Sequence, residues 1–268
     1  MTGLAPRVEA EVVPLGARRQ SPVTSNGRVP GERGRQTRQR LLDATVELLT
    51  TTSWRSVKVT DIARRARTSP ATFYQYFGNV EEAVRVLAEG VVDQAALLAE
   101  LVGGDWSEAH SWTKARTFTE EFLAYWEDNR AVFRVIDLAN EEGDAPLHGI
   151  RIRALNAVTT ALAQVVVQCS PAPGGLRGTR TTSLAGSEPM AVAGTLVAMF
   201  ASVAASRYGF EFWGIRTRDL IDTQARMLHW AVTGRPAPGS ELDDGGDRGE
   251  GGDRGDRGDR GDRGDRSM

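Results

Sequence analysis

Residues 57–82 of the 268-residue chain read VKVTDIARRARTSPATFYQYFGNVEE. Among the residues of this short stretch are an amide (Gln75), hydroxyls (Thr60, Ser69, Thr72), phenols (Tyr74, Tyr76), a methyl (Ala71) and a cation (Arg67). This is recognition chemistry. Hydroxyls, phenols and cations hydrogen-bond anionic oxygens, and an amide can face a paired donor and acceptor. Groups that suit covalent or metal chemistry are scarce. His110, His148 and His229 share no metal-ligand spacing, and no His-Glu-x-x-His pattern, P-loop or nucleophile elbow occurs. Glu141, Glu142 and Asp144 read as a solvated acidic helix end. Cys169 is the only cysteine, which excludes an internal disulfide and a cysteine-based zinc site and suits a reducing cytoplasm. No metal, cofactor or enzymatic activity is expected.

The net charge of −2 conceals three different segments. Residues 1–79 carry 13 Lys+Arg against 6 Asp+Glu, a net of +7. Residues 80–240 carry 14 against 19, a net of −5, and residues 241–268 carry 6 against 10, a net of −4. A basic head on an acidic body points to a polyanionic partner for the head.

Proline and glycine punctuate the chain. Residues 1–34, with Pro6, Pro14, Pro22 and Pro30 and no apolar period, read as a disordered basic arm. No apolar stretch follows its arginines, so no signal peptide is expected. From 236 onward, and above all in the Gly-Asp-Arg repeat after Gly245, the chain reads as a flexible tail. Between these ends, apolar residues recur at helical spacing, as at Leu41, Leu42, Val46, Leu48 and Leu49, and at Leu155, Val158, Leu162 and Val165. No period-2 alternation is sustained, so the fold class is all-α. Residues 171–188 form the one internal loop. Met190 to Ser206 holds no charge, but at seventeen residues it is short for a membrane span, and its many Ala, Gly and Ser suit a packed helix. No membrane partner is expected.

The element that must position the recognition residues is a pair of short helices, at about 58–77. Thr60 reads as the N-cap of the first, which turns Ile62, Ala63 and Ala66 inward and breaks at Arg67–Thr68. Ser69 caps the second, with Pro70 at its first position, Phe73 and Phe77 buried, and Ala71, Thr72, Gln75 and Tyr76 outward. Asn79 caps the next helix with Glu82 as its partner. This is a helix-turn-helix.

Thr-Asp-Ile-Ala, then Ser-Pro-Ala-Thr-Phe-Tyr-Gln-Tyr-Phe, then an acidic pair, resembles the N-terminal domain of TetR-type transcriptional regulators from about Arg35 to Val91, with a first helix at Arg38–Thr51. The resemblance implies a DNA-binding domain over 35–91 and a helical ligand-binding and dimerisation domain over 92–235. It also implies a homodimer that sets two recognition helices in successive major grooves of a palindromic, double-stranded operator and responds to a small-molecule effector. Two residues depart from the family pattern. Arg67 stands where a turn glycine is usual and is strained if the turn needs positive φ. Val80 stands where a phosphate-contacting lysine is frequent.

Chemistry then assigns roles. Ser69, Tyr74, Tyr76 and the helix start at 69–71 can reach phosphates. Gln75 can pair with adenine, Ala71 can touch a thymine methyl, and Thr72 is tolerant. Arg35 and Arg38, at the end of the arm, can follow the backbone or enter the minor groove. Thr60 and Arg67 complete the candidate set. In the remainder, aromatics cluster twice, at Trp106, Trp112, Phe118, Phe122, Trp126 and Phe133, and at Phe200, Phe210, Phe212, Trp213 and Trp230; both clusters are read as core before pocket. Trp126, Asn140, Asn156 and Thr160 are the weak ligand candidates. Helices at about 189–208 and 217–233 are the expected dimer interface. The function that follows is a cytoplasmic, ligand-released repressor. The alternatives are a DNA-binding regulator that lacks a ligand or activates, and a helical protein-interaction module.

Overall fold

The computed structural model describes residues 31–143, 145–169 and 187–238. The arm up to residue 30, the loop interior at 170–186 and the tail from 239 lie outside them. Among the described residues every regular element is helical: α1 (Glu32–Thr51), a short 3-10 turn (Trp54–Ser56), α2 (Val59–Arg65), α3 (Pro70–Tyr76), α4 (Val80–Val102), α5 (Ser111–Asp128), α6 (Arg130–Glu141), α7 (Ala145–Cys169), α8 (Pro189–Ala205), α9 (Arg207–Phe212) and α10 (Thr217–Thr233).

α1 begins at Glu32, six residues before the Arg38 start read from sequence, so Arg35 and Arg38 lie on a helix and not at the end of an arm. Glu32 sits in the first turn, where its charge favours the helix dipole, and pairs with Arg35 three residues on. The inward face is Leu41, Leu42, Ala44, Thr45 and Leu49, and the Thr45 hydroxyl donates to the Leu41 carbonyl at 2.8 Å. Val46 and Leu48 are half-buried at its edge. α4 runs unbroken from Val80 to Val102, through the position at which the sequence divides 35–91 from 92–235. Its buried residues, among them Val84, Ala88, Val91, Ala95 and Leu98, make one stripe along that length.

α7 packs against α4, α6 and α8 and buries Ile150, Ala154, Val158, Leu162 and Val165. Its segment Gly149–Cys169 is long and apolar enough to cross a membrane by length and composition, although Arg151 pairs with Asp137 and Arg153 with Glu89. α8, which carries no charged side chain, buries Val192, Ala193, Leu196, Val197, Phe200, Ala201 and Ala204, and Glu188 caps its start by accepting from the Ala191 N–H.

The two aromatic clusters have different fates. Trp106, Phe118, Phe122, Trp126 and Phe133 are core, with Trp126 stacked on Phe133 at 4.1 Å and 9°. Phe200 joins them, edge-on to Phe118 at 5.4 Å. The rest of the second cluster is not core: Phe212 and Trp213, at the end of α9, are 87% and 70% exposed, and Trp230 is 41% exposed. Helical spacing fixes which residues share a side but not whether that side meets the protein or the solvent.

Candidate nucleic-acid interface

α2 and α3 pack with α1 into the three-helix unit that carries the candidate recognition residues. Ile62, Ala63 and Ala66 are buried from α2, and Phe73 and Phe77 from α3, their rings tilted together at 5.4 Å. The first cap differs from the sequence reading. Lys58, not Thr60, holds the N-cap position of α2, and its carbonyl accepts from the N–H groups of Asp61 and Ile62. The helix therefore starts two residues sooner, at Val59, just after the buried Val57, and Thr60 lies exposed inside the first turn.

The turn between the helices closes with two bonds, from the Thr68 N–H to the Ala63 carbonyl at 2.9 Å and from the Arg67 N–H to the Arg64 carbonyl at 3.2 Å. This doubly bonded helix end requires a left-handed residue just past the cap. That residue is Arg67, at φ 54°, the only described non-glycine residue with positive φ. The strain anticipated at this position is therefore present. A side chain in that region costs about 1–2 kcal/mol. Arg67→Gly is expected to stabilise the fold by roughly 0.5–1 kcal/mol, the strain relieved less the added entropy of the unfolded chain. Urea denaturation checks this; equal midpoints for the two proteins would contradict it.

α3 starts as its sequence dictates. The Ser69 Oγ accepts from the Thr72 N–H at 3.1 Å and lies 3.0 Å from the Thr72 hydroxyl. Ala71, Tyr74 and Gln75 are exposed, and Thr72 and Tyr76 are half-buried. Tyr74 is 54% exposed and rests edge-on against Phe73 at 5.8 Å, while Tyr76 packs on the core. The Asn79 side chain accepts from the Glu82 N–H at 2.8 Å, and Glu82 in turn accepts from the Gly78 N–H at 2.7 Å. Because α3 is pinned at both ends and anchored by two phenylalanines, its outward side chains stand on a rigid element.

The cations around this unit divide. Arg35 is exposed beside Glu32. Arg38 is half-buried, its guanidinium 5.3 Å from the centre of the Phe77 ring, and burial holds its pKa below the usual arginine value despite the nearby Glu82 charge. Arg64 pairs with Asp61, Arg65 pairs with Glu47, and Arg67 is exposed at the turn. Sequence reasoning passed over Arg55. It lies in the 3-10 turn over the Trp54 ring at 4.9 Å and pairs with Glu142, 87 residues away, a separation at which no local spacing gives a signal.

The four ligand candidates do not share one environment. Trp126 is buried, with the Arg151 guanidinium 5.6 Å from its ring. Asn140 and Asn156 are exposed on α6 and α7, and Thr160 is half-buried.

Solved structures share this fold. A protein described as a TetR-family transcriptional regulator from Mesorhizobium loti MAFF303099 aligns with a TM-score of 0.53 and 15% identity over 75% of this chain and 97% of its own. Another from Syntrophomonas wolfei aligns at 0.51 and 13%, over 74% and 95%. The fatty acid degradation regulator FadR from Bacillus halodurans aligns at 0.50 and 14%, over 75% and 96%. No curated protein sequence matches. The family profile described as "Bacterial regulatory proteins, tetR family" covers residues 41–87, which hold α2 and α3 with their caps, and "Tetracyclin repressor-like, C-terminal domain" covers residues 98–239. Since the second alone spans more than half of the chain and the first falls on the helix-turn-helix of α2 and α3, the protein belongs to the TetR family of transcriptional regulators.

Proposed function

We propose that the protein is a cytoplasmic, homodimeric repressor that holds a palindromic operator through α3 and is released from it by a small-molecule effector. The observation that carries this reading is α3, whose Phe73 and Phe77 are buried while Ala71, Tyr74 and Gln75 face outward. In this reading Gln75 and Ala71 read bases, and Ser69, Tyr74, Tyr76, Thr60, Arg67 and Arg35 position the protein on phosphates. Arg38, held over Phe77, braces α1 against the motif beside that surface.

The dimer reading rests on α8 and α10. Ala191, Ala198, Ser202 and Ala205 are exposed and Gly194 is half-buried along one face of α8 at helical spacing, and Met227 and Trp230 are 49% and 41% exposed on α10. Small residues allow close helix approach, and exposed large apolar side chains supply area for a symmetric contact. A dimer reads two half-sites about 34 Å apart, and an effector that favours another separation releases the operator.

A gel shift with duplex DNA from upstream of the protein's own coding sequence tests this reading. Gln75→Ala is expected to cost about 1–3 kcal/mol of discrimination between operator and scrambled DNA. Arg35→Ala is expected to weaken both duplexes alike and to lower the salt slope by about 1. If neither change altered operator affinity, the assignment of this surface would be wrong.

A further inference from the structure

A depression of about 300 Å³ lies where α2 and α4 begin, beside the recognition helix. Arg55, Tyr74, Asn79 and Glu81 supply its polar lining, and Trp54 and Val80 are part of its apolar wall. Arg55 is the one cation among these lining residues. Val80, at the first position of α4, contributes none.

Two features fix the Arg55 guanidinium here. It stacks on the ring of Trp54, a residue only 7% exposed, and its Nε donates to the Glu142 carboxylate at 3.1 Å. Glu142 follows the last residue of α6, so a cation that lines a hollow beside α3 is tied to the C-terminal half of the chain. The Trp54 indole N–H is buried and meets no acceptor among the described residues.

We infer that this depression is a backbone-phosphate site for duplex DNA in which Arg55 is the cationic ligand and the Tyr74 hydroxyl a donor, and that Glu142 competes with the phosphate for the Arg55 guanidinium. The inference rests on the DNA-binding reading above and deepens it. A planar guanidinium presents matched N–H donors to a carboxylate or to a phosphate, and Glu142 holds the edge made by Nε and one terminal nitrogen, so a phosphate that takes this edge must displace the carboxylate. The pair with Glu142 is solvent-accessible on both sides, with side chains 55% and 36% exposed, so it is weak enough for a polyanion to displace. Glu81 lines the hollow as a carboxylate and lessens its net attraction.

The test uses the full-length protein, fluorescein-labelled duplexes (upstream sequence and a scrambled duplex of equal composition) and a salt titration, with thermal melts to confirm that each variant folds. Arg55→Ala is expected to weaken both duplexes about tenfold and to flatten the log–log salt slope by about 0.9, the signature of one phosphate contact. Arg55→Lys, which keeps the charge, is expected to restore the slope. Glu142→Gln is expected to tighten both duplexes by about two- to fivefold, the factor an exposed pair can withhold. Adding it to Arg55→Ala is expected to have no effect. An unchanged slope in Arg55→Ala would overturn the phosphate site, and so would weaker or unchanged binding by Glu142→Gln overturn the competition. If the wild-type protein bound neither duplex at low salt, the DNA-binding reading would fall first.

Discussion

Replacement of Phe73 by alanine is expected to destabilise the protein by about 3–5 kcal/mol and to abolish specific DNA binding. Phe73, on α3, is fully buried in the hydrophobic core, with its ring against Phe77 and Tyr74. Seven residues make α3 too short to be stable alone, so its conformation depends on this anchor and on the Ser69 cap. In a domain whose total stability is about 5–15 kcal/mol, such a loss moves the thermal midpoint by roughly 10 °C. Phe73→Leu, which nearly conserves volume, is expected to cost less than about 1.5 kcal/mol and to retain binding. Calorimetry with a parallel gel shift measures both. An alanine variant with an unchanged melt and intact operator binding would show that the anchor lies elsewhere.

The second large effect is expected at Ala198, in the middle of the exposed small-residue face of α8. Ala198→Glu places a carboxylate from each protomer in the proposed contact, where an unpaired buried charge costs several kcal/mol. The variant is expected to sediment as a monomer at micromolar concentration. Loss of the second half-site is expected to lower operator affinity by roughly 10²–10⁴. Ala198 is exposed within the protomer, so the helical content should remain as it is. Ala198→Ser is expected to stay dimeric. A Glu variant that sedimented and bound like the wild type would place any dimer contact on another surface.

The helix-turn-helix was legible because its signals are local. Ser69, Pro70 and Asn79 each act within three residues, and Phe73 and Phe77 lie one helical turn apart. The glycine-like turn at Arg67 was legible too, since the chemistry of a helix end states what its backbone must do whatever residue occupies it. The early start of α1 was not, because ERGRQTRQR contains no apolar residue and therefore no period. α9 escaped as well: six residues with a central glycine and aromatics on more than one side resemble the end of α8 more than a separate helix. The pairing of Arg55 with Glu142 depends on how α6 reaches the helix-turn-helix, which is tertiary information that no window on the sequence contains.

One feature of α3 separates two quantities that are usually mixed. From Pro70 to Tyr76 it carries no charged side chain, and the nearby cations all come from α1, α2 and the turns. Counterions screen the cations but act little on an amide, a hydroxyl or a methyl pressed against a base edge. In the proposed complex, ionic strength therefore governs how tightly the protein holds any DNA, while the choice among sequences stays nearly constant. In that complex the salt-sensitive part of the affinity comes from cations outside α3, whereas the choice among bases comes from α3 itself.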